Sequence, residues 1–460
     1  MRVALRALVS LAIVAGVGAC VDDAPPLAEP LADEELLDPA ACASCHPGQH
    51  AEWSGSMHAY ASTDPVFRAM NARGQRETDG ALGDFCVQCH APMAVRTGAT
   101  TDGLNLDEVP DHLQGVTCYF CHSVTDVQGI HNNPLLLADD GIMRGGIADP
   151  RPAGAHDSAY SPWHDRDRLE SAQMCGACHD VVLPNGVPLE QSYAQWNDSV
   201  YADPEAGIGL SCNSCHMRGR DGLAAELPGM PTRRIHSHAF PAVDVALTPF
   251  PHAEEQRRLV QEELDRTLFP ELCVFEDALG TQIRVTLENA GAGHTFPSGS
   301  TKDRRVWVEV IAYREGVPIF ESGTIEEGEV VREHDDPNLW DIGEFAYRED
   351  GTTAHMFWDV ARLESTVLPA PVTLDRRDPR YYETHVSRFY DLGALEPDRV
   401  TMRVRLRPFG LDVIDDLIAS GDLEPGLRER VPTFTLGSTR LEWQLGAESS
   451  CIPERSSITF

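Results

Sequence analysis

The sequence is almost without lysine and short of positive charge altogether. Lys302 is the single lysine among 460 residues, and 37 basic residues stand against 72 acidic ones, which gives a formal net charge of −35. So large an acidic excess argues against nucleic-acid binding and against attraction to anionic membrane surfaces. Partner proteins with basic docking surfaces are favoured instead.

Long apolar runs are also missing from most of the chain. After residue 20, no segment reaches the roughly 18 apolar residues that a transmembrane helix needs. At the start, two arginines and an apolar stretch over 7–17 precede small residues and Cys20. This pattern predicts a lipoprotein signal peptide over 1–20, with Cys20 as the lipidated first residue of the mature chain. An ordinary signal peptide with an incidental Cys20 is the alternative.

The predicted anchor can be tested by one substitution. Cys20→Ser is expected to move the protein from the membrane fraction to the soluble fraction, because the acyl chains lose their attachment site. Fractionation and immunoblotting measure the change, and an unchanged distribution would contradict the anchor.

With the anchor, the protein is exported and faces the periplasm or the cell exterior. Residues 21–40, rich in Pro, Ala and acid, are then expected to form a flexible tether.

What the chain has in excess is cysteine followed by histidine at one spacing. Cys-x-x-Cys-His occurs five times, with the residues Cys42, Cys45, His46; Cys86, Cys89, His90; Cys118, Cys121, His122; Cys175, Cys178, His179; and Cys212, Cys215, His216. Two such thiols form thioethers to the vinyl groups of one haem, and the next imidazole ligates its iron. The sequence therefore predicts five covalent c-type haems. Zinc ribbons and redox dithiols also pair cysteines, but neither requires a histidine after every pair.

A haem-packed domain is predicted over 41–247. All five motifs lie between residues 42 and 216, which leaves too little polypeptide for a separate apolar core around each haem. We expect the haems to supply much of that core, with little regular structure, a short helix after each motif and long loops.

Second axial ligands are expected from histidines outside the motifs. Position relative to the motifs selects His58, His131, His156, His164, His236 and His238. His294 lies far beyond the last motif in a glycine-rich loop. The residues leave open whether it is a haem ligand from the following domain or a structural histidine in a tight turn.

Composition changes after the motifs. Residues 248–280 are predicted to hold a connecting helix, because apolar residues there recur at helical spacing behind a proline. Alternating strand-like runs lie at 282–289, 304–316, 318–325, 399–409 and 438–445, with a short helix at 411–421. They predict an antiparallel β-sandwich-like domain over 281–460, and an α+β class for the whole chain.

Three cysteines lie outside the motifs. With Cys20 lipidated, Cys273 and Cys451 remain in an oxidising compartment, so a disulfide between them is predicted. Two buried free thiols are the alternative.

Several segments together resemble the cytochrome c-554 family of multihaem c-type cytochromes, and a larger group with a β-rich C-terminal domain. They are CASCHPGQHAEWSGSMHA (42–59), the SPWH to VVLPNG region (161–186), LEQSYAQWNDSVYA (189–202), CNSCHM (212–217) and GAGHTFPSG (291–299). In that family the histidine of W-x-x-S-x-H is an axial ligand, which the resemblance implies for His58. The glycine–histidine loop implies the same for His294. Cytochrome c-554 itself is similar only in the haem half and has four haems.

Two functions follow from these patterns. The first is electron transfer between redox partner proteins outside the cytoplasm, through five haems with two axial ligands each. The second is a redox enzyme with one open-coordination haem, acting on a small nitrogen or sulfur compound. An open site needs a missing second ligand. The surplus of histidines favours electron transfer, and no catalytic residue is predicted.

Overall fold

The computed structural model describes residues 28–206 and 208–446. It has the predicted α+β class, with short helices in the first half and antiparallel sheets in the second. Within those two ranges, no helix combines the length and the apolar character that crossing a membrane requires. Cys20 and Cys451 lie outside the described residues.

Regular elements are short in the first half and longer in the second. The helices of the described ranges are α1 (Asp33–Leu36), α2 (Pro39–Cys42), α3 (Pro47–Ser54), α4 (Met57–Tyr60), α5 (Pro65–Glu77), α6 (Val87–His90), α7 (Pro92–Arg96), α8 (Cys118–His122), α9 (Ala172–Gly176), α10 (Ser192–Asn197), α11 (Cys212–His216), α12 (Ala253–Leu264) and α13 (Leu411–Ala419). The strands are β1 (Val124–Val127), β2 (Leu135–Leu137), β3 (Ile142–Gly145), β4 (Asp157–Tyr160), β5 (Val181–Val182), β6 (Pro188–Glu190), β7 (Gly219–Leu223), β8 (Thr232–His236), β9 (Phe269–Asp277), β10 (Gly280–Glu288), β11 (Arg305–Arg314), β12 (Val317–Ser322), β13 (Trp340–Ile342), β14 (Glu344–Tyr347), β15 (Arg362–Ser365), β16 (His385–Gly393), β17 (Arg399–Arg407), β18 (Phe434–Thr435) and β19 (Leu441–Gln444).

Several of the motifs themselves coil into short helices. Helices α6, α8 and α11 end on motif histidines, and α9 overlaps the fourth motif. A helix follows only the first two motifs, where Pro47 and Pro92 occupy the first helical position and need no hydrogen bond there. Strands β1, β5 and β7 follow the other three. The expectation of a helix after every motif is therefore wrong for three of them.

The second half of the predicted tether is packed. Helices α1 and α2 occupy it, and Leu36 is buried in the apolar core of the haem-motif half. The backbone N–H of Leu31 donates to the carbonyl of Ala155. Leucines among the acidic residues provide this apolar contact, so the prediction of a flexible segment is wrong for this part of 21–40.

The second half is built on two larger antiparallel sheets, and β14 and β15 form a separate two-stranded sheet. Of the two larger sheets, one has the strand order β16-β10-β9, and the other has β12-β11-β17-β18, with β13 on β11 and β19 on β17. In β17, Val400, Met402, Val404 and Leu406 are buried and the residues between them are more exposed, which is the alternation of a strand with one face in the core. Apolar side chains of both sheets join one buried cluster. The sandwich arrangement itself stays a prediction.

Each of the five predicted strand runs contains a strand, and 411–421 contains α13. The predicted connecting helix is α12. Strand β9 begins at Phe269, inside the segment assigned to the connection, and β13–β16 and β18 were not predicted.

The two halves of the chain pack against each other. Val66 and Ala69 of α5 share a buried cluster with apolar residues of α13. Arg73 of α5 pairs with Asp416 at 3.0 Å. The predicted boundaries at 247 and 281 stay predictions.

The segment that leads into β11 buries three positive charges. Each meets a carboxylate, in the pairs Lys302–Asp303, Arg304–Asp244 and Arg305–Asp412. The Lys302 side chain is only 2% exposed, and its Nζ also donates to the carbonyl of His355. Charges persist in a protein interior when they are paired and hydrogen-bonded in this way. The one lysine of the chain is therefore a structural residue.

Candidate functional site

Each of the five motif histidines has Nδ1 hydrogen-bonded to an oxygen acceptor. Four acceptors are backbone carbonyls and one is a carboxylate, in the pairs His46–Ala224, His90–Ala61, His122–Arg144, His216–Pro241 and His179–Glu190. Because carbonyl and ionised carboxylate oxygens only accept, Nδ1 carries a proton, and in the neutral ring Nε2 keeps its lone pair. The rings are fixed in the tautomer that ligates a metal through Nε2.

Burial keeps most of these imidazoles neutral. It lowers the pKa of His216 to about 4, and it also lowers the pKa of His46, His90 and His122. His179 differs. Burial alone would lower its pKa, but the hydrogen bond and the charge of Glu190 outweigh burial and raise that pKa to about 9. Glu190 therefore gives the fourth motif an electrostatic environment unlike that of the other four.

Four of the motif histidines face a second histidine. Ring centres are separated by 6.2 Å in His46–His156, 6.3 Å in His122–His238, 6.1 Å in His179–His58 and 6.4 Å in His216–His294. Two imidazoles that ligate one metal from opposite sides, with N–metal bonds of about 2 Å, have ring centres about 6 Å apart. The observed separations fit two axial ligands on one iron.

The facing histidines also present the correct nitrogen. In His156, His238 and His294, Nδ1 is hydrogen-bonded to a backbone carbonyl, which leaves Nε2 to ligate. Burial lowers the pKa of His58 and of His238 to about 3. In the pairs of His46, His122 and His216, both members can therefore offer a lone pair towards the space between them. His179, whose pKa is raised, would first have to lose its Nε2 proton.

His58 is held by the residues that precede it. Ser56 caps α4 by accepting from the N–H of Ala59, and Trp53 Nε1 donates to the carbonyl of Val116 at 2.8 Å. The N–H of Val116 in turn donates to the carbonyl of His58 at 2.9 Å. The W-x-x-S-x-H spacing thus has a structural reason, because its tryptophan and serine fix the backbone that carries the histidine.

His294 comes from the second half of the chain on a loop that docks against the α10 region. Ser199 Oγ donates to the carbonyl of Gly293 at 3.1 Å, and Thr295 Oγ1 donates to Gln195 Oε1 at 2.7 Å. Gly293 has a φ of 77°, which a glycine adopts without strain. The facing arrangement with a motif histidine supports the ligand interpretation over the purely structural one.

Three predicted ligands do not form such a pair. The ring centre of His164 lies 5.4 Å from that of His122, but its Nε2 is hydrogen-bonded to the carbonyl of Cys121 and its Nδ1 is buried without a partner. His164 therefore presents the wrong nitrogen for a ligand of this kind. His131 is exposed and His236 is half-buried. In the part of the chain that the structure describes, neither ring faces a motif histidine.

His90, in the second motif, has no facing histidine among the described residues. Its ring stacks on Phe67, with ring centres 4.0 Å apart and an angle of 4° between the planes. That distance leaves no room for a metal between the rings, so Phe67 packs against the imidazole and holds its orientation. Counting histidines in the sequence could not reveal this asymmetry.

The motif cysteines bring different motifs together. All ten are free thiols. Thiols of different motifs interact in the pairs Cys118–Cys42, Cys178–Cys89 and Cys212–Cys175, and Cys121 interacts electrostatically with Cys175. The third motif therefore adjoins the first, and the fourth adjoins the second, the third and the fifth. Outside the motifs, Cys273 is disulfide-bonded, and its predicted partner Cys451 lies outside the described residues.

These side chains fit haem c better than zinc. Over 28–206 and 208–446, no group of three or more His, Cys, Asp or Glu side chains is arranged to hold a metal ion. The histidines instead meet in opposed pairs, which is the arrangement of axial ligands and not of a four-ligand tetrahedral site. The free thiols beside each motif histidine are available for thioether bonds to a haem. The cysteines would hold the macrocycle, and the facing histidines would hold the iron.

Comparison with known proteins gives two matches. Residues 41–123, which contain the first three motifs, match the family described as cytochrome c554 and c-prime. No curated protein matches the sequence. In fold, the chain is similar to a penta-heme cytochrome c552 from Thermochromatium tepidum, with a TM-score of 0.61 and 18% sequence identity. That likeness covers 92% of this chain and 100% of the other, so it extends over both halves.

Proposed function

We propose that this chain, a multihaem c-type cytochrome by the family match of its residues 41–123, carries electrons between redox proteins outside the cytoplasm. It binds haem c, as the resemblance in its sequence predicts. The finer proposal is that all five motifs bind a haem, and that four of the irons have two histidine ligands.

The observation that carries this proposal is the set of four facing histidine pairs. An iron with an imidazole on each side has no coordination position left for a substrate, so its role is to accept and release electrons. The contacts between thiols of different motifs support short distances between neighbouring sites. Together these features favour a chain of carriers over a set of separate catalytic centres.

Haem c supplies one-electron chemistry when it is bound. The protein's own residues position it. The Nδ1 hydrogen bonds orient each motif imidazole. The identity of the Nδ1 acceptor and the degree of burial are the means by which the protein tunes each site.

The proposed location and partners rest on the lipidation predicted for Cys20 and on the charge of the chain. Lipidation of Cys20 would hold the protein at a membrane, facing the periplasm or the exterior. The net charge of −35 favours redox partners with basic docking surfaces, since opposite charges speed the encounter.

A second candidate function rests on His90. Without a facing histidine, the haem of the second motif could keep an open coordination position and act on a small nitrogen or sulfur compound. Apolar side chains of the second half, among them Phe357 and Val360, cluster with Cys86 of this motif. These apolar side chains would exclude water from an open coordination site.

Haem content and carbon monoxide binding test both candidates on one sample. The holoprotein is expected to contain five haems per chain, one for each motif. Carbon monoxide added to the reduced protein is expected to change the spectrum of no more than about one-fifth of the haem, because four irons are blocked by histidine pairs. A change of about one-fifth would point to the second motif and to the enzyme candidate. A larger change, or fewer haems, would contradict the proposed ligands.

A further inference from the structure

We propose that Glu190 sets the reduction potential of the haem bound by the fourth motif, through its hydrogen bond to His179. The inference deepens the proposed function and rests on it. Among the five motif histidines, only His179 has a side-chain carboxylate on Nδ1, at 3.3 Å from Glu190 Oε1; the other four have backbone carbonyls. Glu190 is a positioning residue, because it acts on the iron through a ligand.

A hairpin brings this carboxylate to the histidine. Strand β5 starts two residues after His179, the chain turns at Asn185 and Gly186, and β6 returns to end at Glu190. Val181 pairs with Glu190 in the ladder, and Gly186 has the positive φ of 86° that such a turn requires. An Asn-Gly pair between two short apolar runs is a hairpin signal in the sequence. The turn that brings Glu190 to His179 is therefore indicated by the sequence itself.

Glu190 is held from both halves of the chain. Ser192 Oγ lies 3.4 Å from Glu190 Oε1, and it also hydrogen-bonds Ser298 Oγ at 2.8 Å. The guanidinium of Arg304, itself paired with Asp244, stabilises the Glu190 carboxylate electrostatically. The side chain of Glu190 is 17% exposed and that of His179 is 55% exposed, so water screens the carboxylate less than it screens the imidazole.

A carboxylate on Nδ1 makes an imidazole a stronger electron donor than a carbonyl does, because it draws the Nδ1 proton towards itself. A stronger donor stabilises the ferric state and lowers the reduction potential. One electron is exchanged with the neighbouring site, and the proton stays in the hydrogen bond. Because the fourth motif adjoins three others, its potential governs passage between the second, third and fifth motifs.

The test is a potentiometric titration of the full-length holoprotein carrying Glu190→Gln. The amide places a neutral oxygen beside Nδ1, the class of acceptor that the other four motifs have. One of the five redox components is expected to shift about tenfold in favour of the reduced form, which is about 59 mV for a one-electron couple, while the others move less.

Asp180→Asn is the matched control. Asp180 directly follows His179, is 4% exposed, and accepts a hydrogen bond from the N–H of Ala194, not from the ring. The substitution removes one negative charge next to His179 and leaves the hydrogen bond between His179 and Glu190 intact. We expect less than half of the Glu190→Gln shift. An equal shift would show that charge alone acts, and would overturn the role of the hydrogen bond.

Glu190→Asp is the second variant, for use if the glutamine variant is not recovered with full haem. It keeps the charge but is one methylene too short to hold the bond, and the same component is expected to shift in the same direction. Unchanged potentials in either haem-replete variant would overturn the inference and leave the proposed function standing. A haem content below five in the wild-type protein would instead overturn the proposed function.

Discussion

Replacement of His294 by alanine is expected to open one haem to carbon monoxide, although this residue lies far from every motif in the sequence. The ring of His294 faces that of His216 at 6.4 Å and is nearly parallel to it. Without it, the fifth iron would keep one histidine and gain a free coordination position. The carbon monoxide-reactive fraction should rise by about one-fifth of the total haem above the wild-type value. Haem content should not change, because Cys212 and Cys215 hold the macrocycle covalently.

His236→Ala is the control for this substitution. His236 was also predicted as a ligand from its position near the motifs, but its ring does not face a motif histidine, and its Nδ1 lies 3.3 Å from the carbonyl of Met217. Its loss should leave carbon monoxide binding at the wild-type level. If His294→Ala has no effect, or if His236→Ala has the larger one, the structural ligand assignment for the fifth motif is wrong.

Replacement of Arg305 by methionine is expected to lower the free energy of unfolding substantially. The Arg305 side chain is 1% exposed; it pairs with Asp412 at 2.5 Å and donates to the carbonyls of Lys302 and Arg304. Its removal leaves the buried Asp412 carboxylate with the longer 3.7 Å contact to His355 Nε2 in place of the ion pair, and loss of one partner of a buried pair costs about 3–5 kcal/mol. Chemical denaturation of the holoprotein, monitored by tryptophan fluorescence, would measure the change in the free energy of unfolding.

Two further variants separate loss of the pair from loss of packing. Arg305→Met combined with Asp412→Leu removes both charges, and it should be more stable than the single variant because no buried carboxylate is left unpaired. Arg377→Met breaks a pair with Asp375 in which the arginine side chain is 90% exposed, and no measurable change is expected. A single variant as stable as the wild type would show that Arg305 is not a structural ion-pair residue.

The motif histidines can be chosen as candidate ligands from the sequence alone, whereas the histidines that face them can be chosen only in part. The spacing within a motif is local chemistry, so His46 or His216 can be assigned without a fold. A second ligand such as His156 depends on tertiary structure, and proximity in sequence also selected His131, which is exposed. His164 shows a further limit, because its hydrogen bond to Cys121 decides which nitrogen is free, and no sequence pattern records that bond.

The fold shows the same division between local and tertiary information. Strand β17 was predictable because it alternates apolar and polar residues over a long run, and β11 because it is a long run rich in β-branched and aromatic residues. Strand β9 was not predictable, because Pro270 and the preceding helix give no strand signal at its start. It forms through its pairing with β10. Leu36 was assigned to a tether because acidic composition dominates its surroundings, yet it is buried in a core with Leu31 and Leu37 packed beside it.

The burial of Lys302 has a consequence for protein chemistry. Its Nζ is enclosed by Asp303 and the carbonyl of His355, and there is no other lysine in the chain. The folded surface therefore offers carboxylates in abundance but no lysine amine. In a carbodiimide cross-linking experiment with a basic redox partner, every cross-link between the two proteins that involves a lysine would join a partner lysine to a carboxylate of this chain. The orientation of each cross-link, and with it the docking face, could be read directly from the peptide masses.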